Sequence, residues 1–238
     1  VASSWAQLSK RFDLLEKSVE DRSKWDFLAK QMVMITDTAP LPEQAKVAQL
    51  YPGQGSQYVG MTLDLSKRYR CIGDTWSEAD QTMVEVLNGE SLSSFVLREN
   101  LTDEQKKESE FKLKQTEYTQ PAMLAADLAL YRLMKEHGLE PDMVAGHSLG
   151  EYAALMVAGI LDFDSALRAV AARGTEMGGV EVPDCGIMAS VSAPYEQIES
   201  VLEAEEGYVI AANKNSPKMT VIAGETEPMK RVMKVFDE

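Results

Sequence analysis

Histidine and cysteine are scarce, with two of each in 238 residues. Cys71 and Cys185 lie far apart and make no C-x-x-C pair, so neither a disulfide framework nor a thiolate metal site organises the chain. A reducing compartment, the cytoplasm, is the expected setting, and no bound metal is expected. Long apolar runs are missing too: nothing approaches the ~18 consecutive apolar residues of a membrane helix. The opening Val1-Ala2-Ser3-Ser4-Trp5 lacks the basic segment and apolar run of a secretory signal. It also lacks an initiating Met, which points to a chain cut from something longer. Positive charge is in deficit, 24 Lys and Arg against 38 Asp and Glu, a net charge of −14. Such a chain can release few phosphate counterions, so neither nucleic acid nor an anionic membrane is an expected partner.

What remains is an ordinary globular composition, 45% hydrophobic and 26% charged, and enough length for one large domain plus a small lobe. Trp5, Leu8, Phe12, Leu15 and Val19 recur at helical spacing, so residues 1–42 read as a helical linker element closed by Pro40-Leu41-Pro42. Its apolar stripe needs something to pack on. From residue 43 the pattern alternates. Val47–Tyr51 reads as a buried strand, Pro52-Gly53-Gln54-Gly55 as a tight turn and residues 57–69 as a helix. Residues 101–117 read as a solvated, loosely helical excursion with no function. Pro121 and Gly138 read as the first helical position and the stop of a buried helix. A strand at Met143–Ala145 and a helix at 149–158 follow. This alternation predicts an α/β fold with a parallel sheet over residues 43–182. Residues 183–238 change to β-α-β-β-α, a split βαβ lobe lacking only its last strand, so the lobe reads as incomplete and Glu238 as an implausible natural end.

Gly146-His147-Ser148-Leu149-Gly150 matches G-x-S-x-G between an expected strand and an expected helix, the setting of a nucleophile elbow. The glycines allow a sharp turn, and the helix start beneath Ser148 offers free N–H groups to an oxyanion. A serine needs a base. His147 is adjacent to Ser148 and poorly placed to take its proton, so it reads as packing under the elbow. His137 sits at a helix end, where it complements the dipole. Neither reads as the general base. Arg173 falls at the border of the apolar face defined by Phe163, Ala166, Leu167, Val170 and Met177. There it can snorkel outward or project into a cleft and clamp a carboxylate, and the pattern leaves both open.

Five segments appear in one family's order: Tyr51-Pro52-Gly53-Gln54-Gly55-Ser56-Gln57, Thr119-Gln120-Pro121-Ala122, Gly146-His147-Ser148-Leu149-Gly150-Glu151, Arg173-Gly174-x-x-Met177 and Asn213-x-Asn215-Ser216-Pro217. From about Val47 onward the chain resembles malonyl-CoA:acyl carrier protein transacylases and the acyltransferase domains of polyketide and polyunsaturated fatty acid synthases. The resemblance implies a hydrolase-like parallel-sheet core with an inserted ferredoxin-like lobe. It implies ping-pong transfer of a malonyl-type acyl group from CoA to an acyl carrier protein through an ester on Ser148. The N–H groups of Gln54 and Leu149 would form the oxyanion hole, Arg173 would hold the malonyl carboxylate, and Gln120 and Asn213 would line the pocket. The family's catalytic histidine would lie beyond Glu238. The expected partners are malonyl-CoA or a related acyl-CoA, the carrier with its phosphopantetheine thiol, and neighbouring synthase domains; no cofactor is implied. The competing readings are a serine thioesterase or esterase and a non-catalytic docking domain of a synthase.

Overall fold

The computed structural model describes residues 4–31, 33 and 45–237. The chain forms two compact units, Val1–Lys46 and Val47–Glu238. In the first, α1 (Trp5–Ser18) starts at Ser4, whose hydroxyl accepts from the Gln7 N–H, 3.2 Å. A short 3₁₀ turn leads into α2 (Trp25–Lys30). The stripe expected to be covered on α1 is not covered throughout: Trp5 is 86% and Phe12 60% exposed. The Pro40-Leu41-Pro42 breaker lies outside the described residues.

The second unit opens with β1 (Ala48–Tyr51), a single helical turn α3 (Leu63–Ser66), α4 (Arg70–Val86), α5 (Ser93–Val96), α6 (Asp103–Lys114) and α7 (Thr116–Glu136). Then come β2 (Met143–Gly146), α8 (Gly150–Val157) and α9 (Phe163–Gly178). Strands β1 and β2 pair in parallel, Ala48 opposite Met143 and Tyr51 opposite Gly146, which fixes the α/β character. Gln49 and Tyr51 point inward, and Leu50 is exposed. Helices α4, α7 and α9 bury Trp76, Met83, Leu124, Leu128, Leu167 and Val170 in one core, each large side chain contributing about 1.5–3 kcal/mol.

Three expectations are corrected. The helix expected over 57–69 shrinks to α3, because Gly60 and Thr62 take positive φ (86° and 63°) and break the helical path. The helix that matters follows it: in α4 the buried Ile72, Trp76, Ala79 and Met83 recur at helical spacing. The lysine- and glutamate-rich excursion is a well-formed α6, started by a Thr102–Gln105 capping box and anchored by buried Leu113. Finally, α7 starts at Thr116, five residues before Pro121. Pro121 forgoes the ladder bond to the Glu117 carbonyl. Gly138, at φ 78°, ends α7 as expected.

The remaining elements are β3 (Ile187–Val191), α10 (Tyr195–Glu203), β4 (Val209–Ser216), β5 (Met219–Gly224) and α11 (Thr226–Asp237). The strands form an antiparallel sheet ordered β3-β5-β4 over a separate small core of Val191, Ile198, Ile222, Met229 and Val232. Strand β4 carries the asparagines of the last motif.

Two buried side-chain oxygens lack a hydrogen-bond partner among the described residues, Thr220 Oγ1 on β5 and Oδ2 of Asp127 on α7. Burial pushes the Asp127 carboxyl from 3.8 up to about 7. Tyr51 is pushed to about 12, first by burial and then by the charges of Asp127 and Tyr131. Its hydroxyl donates to Gln49 Oε1, 2.7 Å. Because the folded pKa of Asp127 lies above the unfolded one, its contribution is most favourable below pH ~4 and is lost as pH rises toward 7. A change from 3.8 to about 7 corresponds to about 4 kcal/mol. Asp127→Asn is expected to raise the unfolding temperature at pH 8 and to flatten its dependence between pH 4 and 7, read by thermal melts across that range.

Helices α7 and α9 cross at Gly174, where an added Cβ would lie 2.7 Å from both Glu117 Cα and the Thr116 carbonyl oxygen. Gly174→Ala must push the helices apart, at about 1–3 kcal/mol, or roughly 2–12 °C in unfolding temperature for a unit of this size. A differential scanning measurement showing no loss would contradict this crossing.

Candidate active site

The elbow is built from two backbone contacts. The His147 N–H continues the sheet by donating to the Tyr51 carbonyl, 3.1 Å, and the Gly150 N–H donates to the His147 carbonyl, 3.0 Å. Between them Ser148 sits at φ 53°, a left-handed conformation that costs a non-glycine residue about 1–2 kcal/mol. The flanking glycines are needed for space rather than for their torsions. A Cβ on Gly146 would lie 2.0 Å from the Gly150 carbonyl oxygen, and one on Gly150 would lie 2.1 Å from that of Tyr51. The strained residue is the serine itself, as a hydroxyl held above the end of β2 requires.

Leu149 is buried at the start of α8. Its N–H and that of Gln54, in the loop after β1, have no hydrogen-bond partner among the described residues. Both are therefore open to an incoming oxygen.

Arg173 resolves the choice that its helical position leaves open: it turns inward. Nη1 donates to Gln120 Oε1 at 2.7 Å and Nη2 to Ser148 Oγ at 3.2 Å. Gln120 is fully buried, so it supports Arg173 from behind instead of lining a surface. Its Nε2 donates to Thr116 Oγ1, 2.8 Å, and Thr116 Oγ1 donates to Gln54 Oε1, 3.0 Å. The donors and acceptors run in one direction from Arg173 to the Gln54 loop, with no group asked to do two incompatible things. Arg173 has no carboxylate partner among the described residues, so its charge is uncompensated locally. Thr116 lies within residues 101–117, the segment expected to have no function. Its position one helical turn before Gln120 is the signal that could have found it.

The histidines lie elsewhere. His137 Nδ1 contacts the Leu133 carbonyl, 2.8 Å, and its ring stands edge-on to Tyr69. His147 does not pack beneath the turn: it is exposed, and its Nε2 lies 3.0 Å from Asn215 Oδ1 and 3.4 Å from Asn213 Nδ2. Neither histidine is bonded to Ser148 Oγ. Asn213 thus approaches the elbow through His147. Among the described residues no group of three His, Cys, Asp or Glu side chains could hold a metal ion. No helix among the described residues is long and apolar enough to cross a membrane.

Comparison with known proteins agrees with this geometry. The acyl transferase domain family model matches residues 49–237. The malonyl CoA-acyl carrier protein transacylase of Haemophilus influenzae is 37% identical over 198 residues, 81% of this chain and 59% of that protein. The crystal structure of MCAT from Streptococcus pneumoniae superposes with a TM-score of 0.68 at 40% identity, over 81% of this chain and 59% of that one. A malonyl-transacylase solved in complex with its type II PKS acyl-carrier protein gives 0.69 at 36% identity, over 81% and 59%. The chain therefore spans about three fifths of the length of these relatives. The strained serine, the open N–H groups and the inward arginine all fall within the matched residues, and the chain belongs to the acyl transferase domain family.

Proposed function

We propose that the protein transfers a malonyl-type acyl group from CoA to an acyl carrier protein. The observation that carries this reading is Arg173, a guanidinium with no acidic partner held against the hydroxyl of a strained serine. An esterase acting on neutral acyl groups gains nothing from such a charge, whereas a free carboxylate on the acyl group gains a bidentate partner. The relatives named as malonyl transacylases, one of them solved with its carrier, support the same donor and acceptor.

In this reading Ser148 Oγ attacks the thioester carbonyl, the C–S bond breaks and the CoA thiol leaves. The carrier's phosphopantetheine thiol then attacks the Ser148 ester, releasing the serine. The developing oxyanion is met by the N–H groups of Leu149 and Gln54, worth about 3–4 kcal/mol per donor in other acyl-transfer enzymes. The Thr116–Gln54 bond holds that loop in place. The Oγ proton ends on the departing CoA sulfur, and neither His137 nor His147 meets Ser148 Oγ to relay it. No metal or redox cofactor takes part. Residues 4–31 would join this unit to neighbouring synthase domains. The unpaired thiols of Cys71 and Cys185 fit a reducing cytoplasm.

Incubation with malonyl-CoA should leave a malonyl ester on Ser148, detected by intact mass and peptide mapping. Ser148→Ala should remove the adduct and lower turnover by roughly 10⁶-fold. Free malonate as the main product, with no transfer to a carrier, would favour the esterase. Arg173→Ala should depress malonyl transfer by roughly 10–100-fold, the value of one charge-assisted hydrogen bond, while sparing acetyl transfer. Equal loss with both donors would reduce Arg173 to a structural role.

A further inference from the structure

We propose that Asn215 is a positioning residue that acts through His147 to fix the turn carrying Ser148; the inference rests on the nucleophile reading above. His147 immediately precedes the strained serine. Its Nε2 lies 3.0 Å from Asn215 Oδ1, closer than the 3.4 Å to Asn213 Nδ2. The shorter contact puts the proton on Nε2, which donates to Asn215. The other ring nitrogen faces Gly53, where an added Cβ would come within 3.0 Å of Nδ1. The exposed imidazole therefore lies between Gly53 and β4, and a swing toward Ser148 Oγ would give up Asn215. His147 is a strut.

An independent feature of β4 points the same way. Its pairing with β5 shifts register twice, between Ala211 and Asn213 and again between Lys214 and Ser216. Bulges of this kind re-aim side chains at the cost of ladder bonds. Here Asn213 lies between the two shifts and Asn215 is the residue skipped at the second, and both reach His147. Strand β4 belongs to the small core and the elbow to the large one, so the Asn215–His147 bond ties the two cores together beside the nucleophile. A serine in a left-handed conformation persists only where its surroundings over-determine it, and this tie is one of the determinants.

The test measures labelling of Ser148 by a fluorophosphonate, followed by the partition of the malonyl-enzyme between a carrier thiol and water. Asn215→Leu keeps the size and removes the acceptor. It should slow labelling about tenfold, the kinetic equivalent of one lost hydrogen bond, and shift the malonyl-enzyme toward hydrolysis. Asn215→Asp retains an acceptor and should stay near the wild-type rate. In a His147→Phe background, Asn215→Leu should cause no further loss. The proposal is overturned if Asn215→Leu labels at the wild-type rate, or if it costs as much with His147→Phe as without. Should Asn215→Leu fail to fold, Asn215→Ser carries the same comparison in both backgrounds. A wild-type protein whose Ser148 is not labelled at all would instead remove the nucleophile reading, and this proposal with it.

Discussion

Backbone meeting backbone without an intervening side chain is the constraint on which this site depends. Gly150 lies on the Tyr51 carbonyl, and Gly174 lies on the backbone of Thr116 and Glu117. The first contact seats the elbow on the end of the parallel sheet and aligns it with the Gln54 loop. The second brings α9 close enough to α7 for Arg173, one residue earlier, to reach both Gln120 and Ser148. A single methyl group at either glycine would separate elements that the chemistry needs within hydrogen-bonding distance. Interiors pack too densely to absorb such an insertion without a shift.

On this scaffold the polar groups form one directed chain from Arg173 through Gln120 and Thr116 to Gln54. Gln120 is wholly buried, so leaving either end of its amide unpaired would be costly. That cost holds the guanidinium in one place before substrate arrives. A preorganised charge gains more from its target than one that must be ordered on binding. Asp127 is the counter-example within the same helix: a buried carboxyl oxygen with no partner, tolerated because burial pushes its pKa to about 7 and favours the neutral form.

Much of this was legible in the sequence because the signals are local. The strand-to-helix setting of Gly146–Gly150 identified the elbow, and the β-α-β-β-α order of the last third matched the observed elements. What the sequence hid was non-local. The inward turn of Arg173 depends on a helix crossing at Gly174 that no periodicity encodes. The link from His147 to Asn215 joins residues 68 positions apart and relies on bulges that have no sequence signature. Helix α4 carries a legible apolar spacing, but the positive-φ turn at Gly60 and Thr62 that delays the helix to Arg70 has no comparable signal. The start of α7 was misplaced because Pro121 was read as an opening residue, whereas the helix accommodates it within its second turn.

The central claim is that Arg173 is a preorganised carboxylate clamp beside an acyl-bearing serine. A crystal structure of the malonyl-loaded protein tests it most directly. The account predicts an ester on Ser148 Oγ, with the Arg173 guanidinium released from that oxygen, bonded to both oxygens of the malonyl carboxylate and still held by Gln120. A malonyl carboxylate turned away from Arg173, with the guanidinium unmoved, would contradict it.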